Sequence, residues 1–219
     1  MRNCVALDAM RNCVAAAAMT NCVAVAAIRN CVLLVDDLNF ISGSGSVIHP
    51  TVILTSTQHF EGRGFSLFYD LDLHFWKVYA GEYNISTTDP HEKHYHVKRV
   101  ILHPGYNYSS LENGIALVIT TQPISFNDHT RPACLPDASH TYTVGEVCFL
   151  PGWGGTASTG NEEVLNQVDL PILDDNVCLN EFPDYFSNTE LCAGYKNQGK
   201  DWCAVSTTVM SEEIKSRSI

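Results

Sequence analysis

Nine cysteines are the most reactive side chains in this 219-residue chain, and their placement limits what they can do. Four (Cys4, Cys13, Cys22, Cys31) recur every nine residues near the start. Five (Cys134, Cys148, Cys178, Cys192, Cys203) are spread through the second half. None makes a C-x-x-C pair, the spacing that argues for zinc. Nine residues turn an α-helix by about 900°, and nine is odd, so the early cysteines change faces in a helix and in a strand alike. They build no stripe for a metal. Disulfides in an oxidising, extracellular compartment are the chemistry to expect. Two sequons, Asn84-Ile85-Ser86 and Asn107-Tyr108-Ser109, permit glycosylation on the same route.

The elements that must position these groups belong to a globular chain. Hydrophobic residues make up 45% and charged residues 17%, which suits a packed core and excludes a disordered chain. The net charge is -11 with no basic cluster, which argues against nucleic acid and anionic membrane surfaces as partners. Residues 2–37 are four units of a nine-residue repeat: RNCVALDAM, RNCVAAAAM, TNCVAVAAI, RNCVLLVDD. Arg2, the apolar run Val14–Met19 and Ala24-Val25-Ala26 resemble the parts of a signal peptide, although Asn12, Thr20 and Asn21 interrupt the apolar core. We expect the tract 1–37 to be signal-like or disordered, with no packed role. No run reaches the roughly 18 apolar residues of a membrane span.

From Val97 to Pro136 the chain reads as two strands and a turn. Val97, Val100, Ile101 and Leu102 are β-branched or apolar, and His103-Pro104-Gly105 stops them. Ile115–Thr120 carries no charge, as a strand buried on both faces would. The pattern H-P-x-Y, N-x-I-A-L, P-x-C-L-P in this stretch resembles the trypsin/chymotrypsin family of serine endopeptidases. GSGSVIHPTVILTSTQHF (43–60), VCFLPGWG (147–154) and LCAGYKNQGKDWC (191–203) extend the resemblance to Cys203.

The resemblance implies an all-β fold, a trypsin-like double antiparallel β-barrel of Greek-key type. It implies a protease-like domain over 38–203 and a divergent polar tail over 204–219. The first barrel is expected nearly complete but without its opening strand, and the second to stop partway through its C-terminal half. The three catalytic positions fall on Gln58, Gly114 and Thr207 in place of histidine, aspartate and serine. A one-residue slip would bring His59 into the histidine's role. Gly43 and His59 occupy the two cysteine positions of one family disulfide. Val205 stands at the oxyanion-hole glycine. Cys178 and Cys192 match a family disulfide, Cys31 is the nearest upstream candidate for Cys134, and Cys148 and Cys203 lack their usual downstream partners. Asp201 stands where trypsin-like members keep the carboxylate of the specificity pocket, which pairs with a substrate Lys or Arg; a surface acid in a turn is the plainer alternative. The loop 82–92 matches the family's calcium loop, with Glu82, Asp89 and Glu92 as carboxylates and the Asn84 and Thr87 carbonyls as further oxygens; a solvated acidic turn is its alternative. No cofactor is required for the family's chemistry.

A serine hydroxyl attacks only when a histidine takes its proton and a carboxylate holds that histidine. The substitutions remove all three groups. The expected function is that of a catalytically inactive, secreted homologue with a protein or peptide ligand. Two alternatives stay open: an active endopeptidase of Lys/Arg specificity in a complete version of the gene product, and an unstable fragment without function.

Overall fold

A computed structural model describes residues 25–36, 38–60, 76–107, 109, 112–135, 141–153, 163–181 and 191–193. The last repeat unit contains the run Cys-Val-Leu-Leu-Val, and it forms strand β1 (Cys31–Val35), buried at all five positions. β1 pairs antiparallel with β2 (Ile41–His49) on one side and β4 (Lys77–Ala80) on the other. The remaining strands are β3 (Val52–Ser56), β5 (Lys93–Leu102) and β6 (Ile115–Thr120), and the order β1-β2-β3-β6-β5-β4 closes into a barrel. The opening strand expected to be missing is therefore present, and the expected boundary after residue 37 cuts too late. Alanine-rich units mask the fourth unit in the repeat pattern. Its β-branched and leucine side chains have apolar area to bury, where alanine has little.

Inside the barrel Val32, Leu34, Val47, Ile53, Val78, Val97, Ala116 and Val118 pack with Phe60 and Trp76. β6 matches the reading of a strand covered on both faces. Ala116 and Val118 point into the barrel, while Ile115 packs with Leu54 outside it. β2 is rich in serine and glycine where neighbouring segments of the chain come close. A Cβ on Gly45 would lie 2.6 Å from the Ile53 side chain and 2.7 Å from the Leu54 carbonyl.

A second, two-stranded sheet is made by β7 (Val147–Trp153) and β8 (Leu165–Pro171). It docks on the outer face of β1, where Cys31, Leu33 and Val35 pack with Trp153 and Leu165. A short helix α1 (Val25–Asn30) precedes β1, and α2 (Asp175–Glu181) follows the second sheet. Asp174 caps α2, accepting from Asn176 N at 2.9 Å. The Cys178–Cys192 disulfide ties α2 to the segment beyond it, as expected. The architecture is mostly β, a closed six-stranded barrel plus a partial second sheet. Among the described residues no helix is long and apolar enough to cross a membrane.

Candidate active site

Two of the three expected catalytic positions meet at the open end of the barrel. β3 runs into a 3-10 turn, Thr57–Phe60, which carries Gln58. The buried Gly114 immediately precedes β6. Thr57 N donates to the Gly114 carbonyl at 2.9 Å, so the two positions are fixed side by side by main chain alone. Asn113, just before Gly114, takes a left-handed conformation (φ 56°) that asparagine tolerates, and its side chain donates to Gly105 O at 3.0 Å. Gln58 is half-buried, and its N–H donates to Ser56 Oγ at 3.3 Å. A glutamine amide offers no basic nitrogen, and a glycine offers no side chain. Thr207, Val205 and Asp201 lie outside the described residues.

His59 does not slip into the histidine's place. Its ring is buried, 7% of the residue exposed, and lies against Gly43 on β2. A Cβ on Gly43 would sit 2.3 Å from His59 Nδ1. Ser42 Oγ donates to the His59 carbonyl at 3.2 Å. Burial pushes the imidazole down to about 4, against an opposing hydrogen bond with the Ser42 main chain. It is therefore neutral at physiological pH and faces the barrel wall. Sequence reading paired Gly43 with His59 as two lost cysteines; what it missed is that the imidazole fills the space between them. A glycine opposite a bulky residue was the available signal.

The loop 82–92 gathers the carboxylates assigned to it. Glu82 is 6% exposed, and its Oε1 has no hydrogen-bond partner. Burial first, then Glu92 and Asp89, push its carboxyl up to about 7. Burial opposes ionisation of Asp89, but the N–H groups of Asn84 (2.8 Å) and Tyr83 donate to its Oδ2 and hold it below the usual range. Glu92 accepts from Asp89 N at 3.2 Å and contacts His94 Nε2. The Asn84 carbonyl accepts from Thr87 N at 3.0 Å. Among the described residues no three His, Cys, Asp or Glu side chains stand as a ready metal-binding group. The Glu82 carboxyl shares a side-chain hydrogen bond with Asp89, and only its Oε1 is left buried without a partner.

Both sequons form Asx turns. Asn84 Oδ1 accepts from Ser86 N (3.0 Å) and Ser86 Oγ (2.7 Å), and the exposed Asn107 accepts from Ser109 N at 2.9 Å. Cys31 and Cys134 both lie in disulfides, whereas Cys148 is free, its thiol pushed up to about 11 by burial and by Glu146.

The closed barrel, with a 3-10 turn and the start of β6 meeting at one end, carries the motif segments 43–60 and 97–120 on neighbouring strands. The family model described as Trypsin matches residues 34–204. This chain belongs to the trypsin family. It is 35% identical over 129 residues to Serine protease 1 of Canis lupus familiaris, covering 58% of this chain and 52% of that protein. Against Trypsin-2 of Salmo salar it is 35% identical over 128 residues, with 58% and 54% covered. Against Trypsin-3 of the same fish it is 29% identical over 161 residues, with 73% and 62% covered. The chain spans about half the length of these first two curated relatives.

Proposed function

We propose that this chain is a secreted, catalytically inactive member of the trypsin family that binds a protein or peptide ligand. The observation that carries the reading is the pairing of Gln58 with Gly114. The hydrogen bond from Thr57 N to Gly114 O keeps the frame in which a histidine and an aspartate would work. Neither residue can take or orient a proton. Thr207 at the third position has no base to activate it. The Cys178–Cys192 disulfide supports an oxidising destination. Asp201 is assigned the role of pairing with a Lys or Arg of the ligand. The test is hydrolysis of fluorogenic Lys- and Arg-peptides by the purified full chain. No turnover above buffer is expected. Turnover that an active-site-directed organophosphonate abolishes would overturn the reading.

The loop 82–92 is proposed to hold calcium through Glu82, Asp89 and Glu92 with the Asn84 and Thr87 carbonyls. What supports this is the closeness of the three acids: Glu82 is hydrogen-bonded to Asp89, feels the charge of Glu92, and keeps one oxygen, Oε1, without a partner. The ion would supply charge neutralisation and so hold the loop.

A further inference from the structure

The six strands of the barrel contain no aspartate or glutamate, although the chain carries 24 of these residues. Of its 13 lysines and arginines, Lys77, Lys93, Lys98 and Arg99 lie in β4 and β5. Strand pairing gathers three of them on one face. Tyr95 and Val97 point into the barrel, so His96 between them points out, and Lys77 stands opposite His96 on β4. Between Val97 and Arg99 the register of β5 against β6 shifts. The bulge turns two consecutive residues to the same side. Lys98 and Arg99 are both exposed, while Val97 and Val100 on either side of them pack with the core. At about 3.3 Å per residue and about 4.8 Å between strands, the three cations spring from main chain within roughly 11 Å. Among the described residues none of the three makes an ion pair. Glu92, which contacts His94, ends the row toward the start of β5.

We propose that this outer face of β4 and β5 binds a sulfated polysaccharide through Lys77, Lys98 and Arg99. The site shares no residue with the Gln58–Gly114 frame and does not depend on the inactivity proposed above. Three cations in a row, with no acid on their own sheet, attract a ligand that carries several anions. Arg99 offers a planar fork that fits the paired oxygens of an oxyanion, and the two lysines offer point charges. The barrel is closed, so both edges of β5 are already paired, with β4 and with β6. No main-chain groups are left there for an acidic peptide to add as a strand. Side-chain charge is the whole of the attraction. The net charge of -11 over the whole chain repels a broad polyanion such as duplex nucleic acid, whereas a slender single chain keeps to the row. The Cys178–Cys192 disulfide suits the extracellular compartment in which such polysaccharides occur.

The experiment applies the full chain to immobilised heparin at neutral pH and physiological salt, with desulfated heparin and duplex DNA immobilised as controls. Retention on heparin, elution by sodium chloride and free passage over both controls are expected. Arg99→Gln is expected to weaken heparin binding about tenfold, and Lys77→Gln with Lys98→Gln to weaken it further. Arg131→Gln, which changes a cation outside β4 and β5 that is paired with Asp128, is expected to leave binding unchanged. Lys98 and Arg99 are exposed, so their variants should keep the parent's thermal midpoint. Should a variant not fold, the parent's preference for heparin over its desulfated form and over DNA decides the matter. Free passage over heparin would overturn the proposal. So would retention that the β4 and β5 substitutions leave intact, or that desulfated heparin or DNA matches.

Discussion

A methyl group placed on Gly43 would meet the His59 ring at 2.3 Å, so the glycine and the imidazole are sized for one another. Gly43→Ala is expected to cost about 1–3 kcal/mol through overpacking, read as a lower urea midpoint. An unchanged midpoint would mean that the ring swings clear. The same ring makes stability depend on pH. Its folded value, about 4, lies below the ordinary 6.5, so between those values the unfolded chain binds a proton that the folded chain refuses. Stability from this group is whole above pH 6.5 and is lost as pH falls toward 4. His59→Phe removes the titration, and its urea midpoint should fall less than the parent's across that window. At this scale the nearness of the segments carrying Gln58 and Gly114 was legible from the motifs around them, and the bond from Thr57 N to Gly114 O joins those segments. The role of His59 was not legible, because it depends on which way the ring faces, a matter set by the glycine sixteen residues earlier.

Among the elements, β6 and the run into His103-Pro104-Gly105 could be read directly, because an uncharged six-residue run and a Pro-Gly stop are local signals. β1 could not. Its five residues lie in a repeat whose other units are alanine-rich, and only pairing with β2 and β4 distinguishes it. Leu34 carries the inward face, so Leu34→Ala is expected to cost about 2–5 kcal/mol, measured by denaturant unfolding. A loss well under 1 kcal/mol would show that the barrel stands without this strand. The Cys178–Cys192 bridge closes a loop with a sequence separation of 14. Replacing both cysteines by serine is expected to cost about 3 kcal/mol in the chain-entropy account, seen as a lower thermal midpoint under non-reducing conditions.

For the molecule as a whole, β1 is the shared wall. Val32 and Leu34 face the barrel core, while Cys31, Leu33 and Val35 face the second sheet. Substitutions at adjacent leucines should therefore separate the two halves. Leu33→Ala is expected to speed hydrogen exchange in β7 and β8 while leaving β3 and β6 protected, and equal acceleration everywhere would show a single cooperative unit. The wall also sets a schedule for synthesis. Leu33 leaves the ribosome 132 residues before Leu165 (165 minus 33), its neighbour across the seam. At ribosomal speeds of about 5–20 residues per second, that interval is roughly 7–26 s. Throughout it the Cys-Val-Leu-Leu-Val segment has apolar surface whose cover has not yet been made, and its contacts span long stretches of chain, the kind that fold slowly. A nascent chain of this protein is expected to carry that apolar face uncovered until β8 has been made.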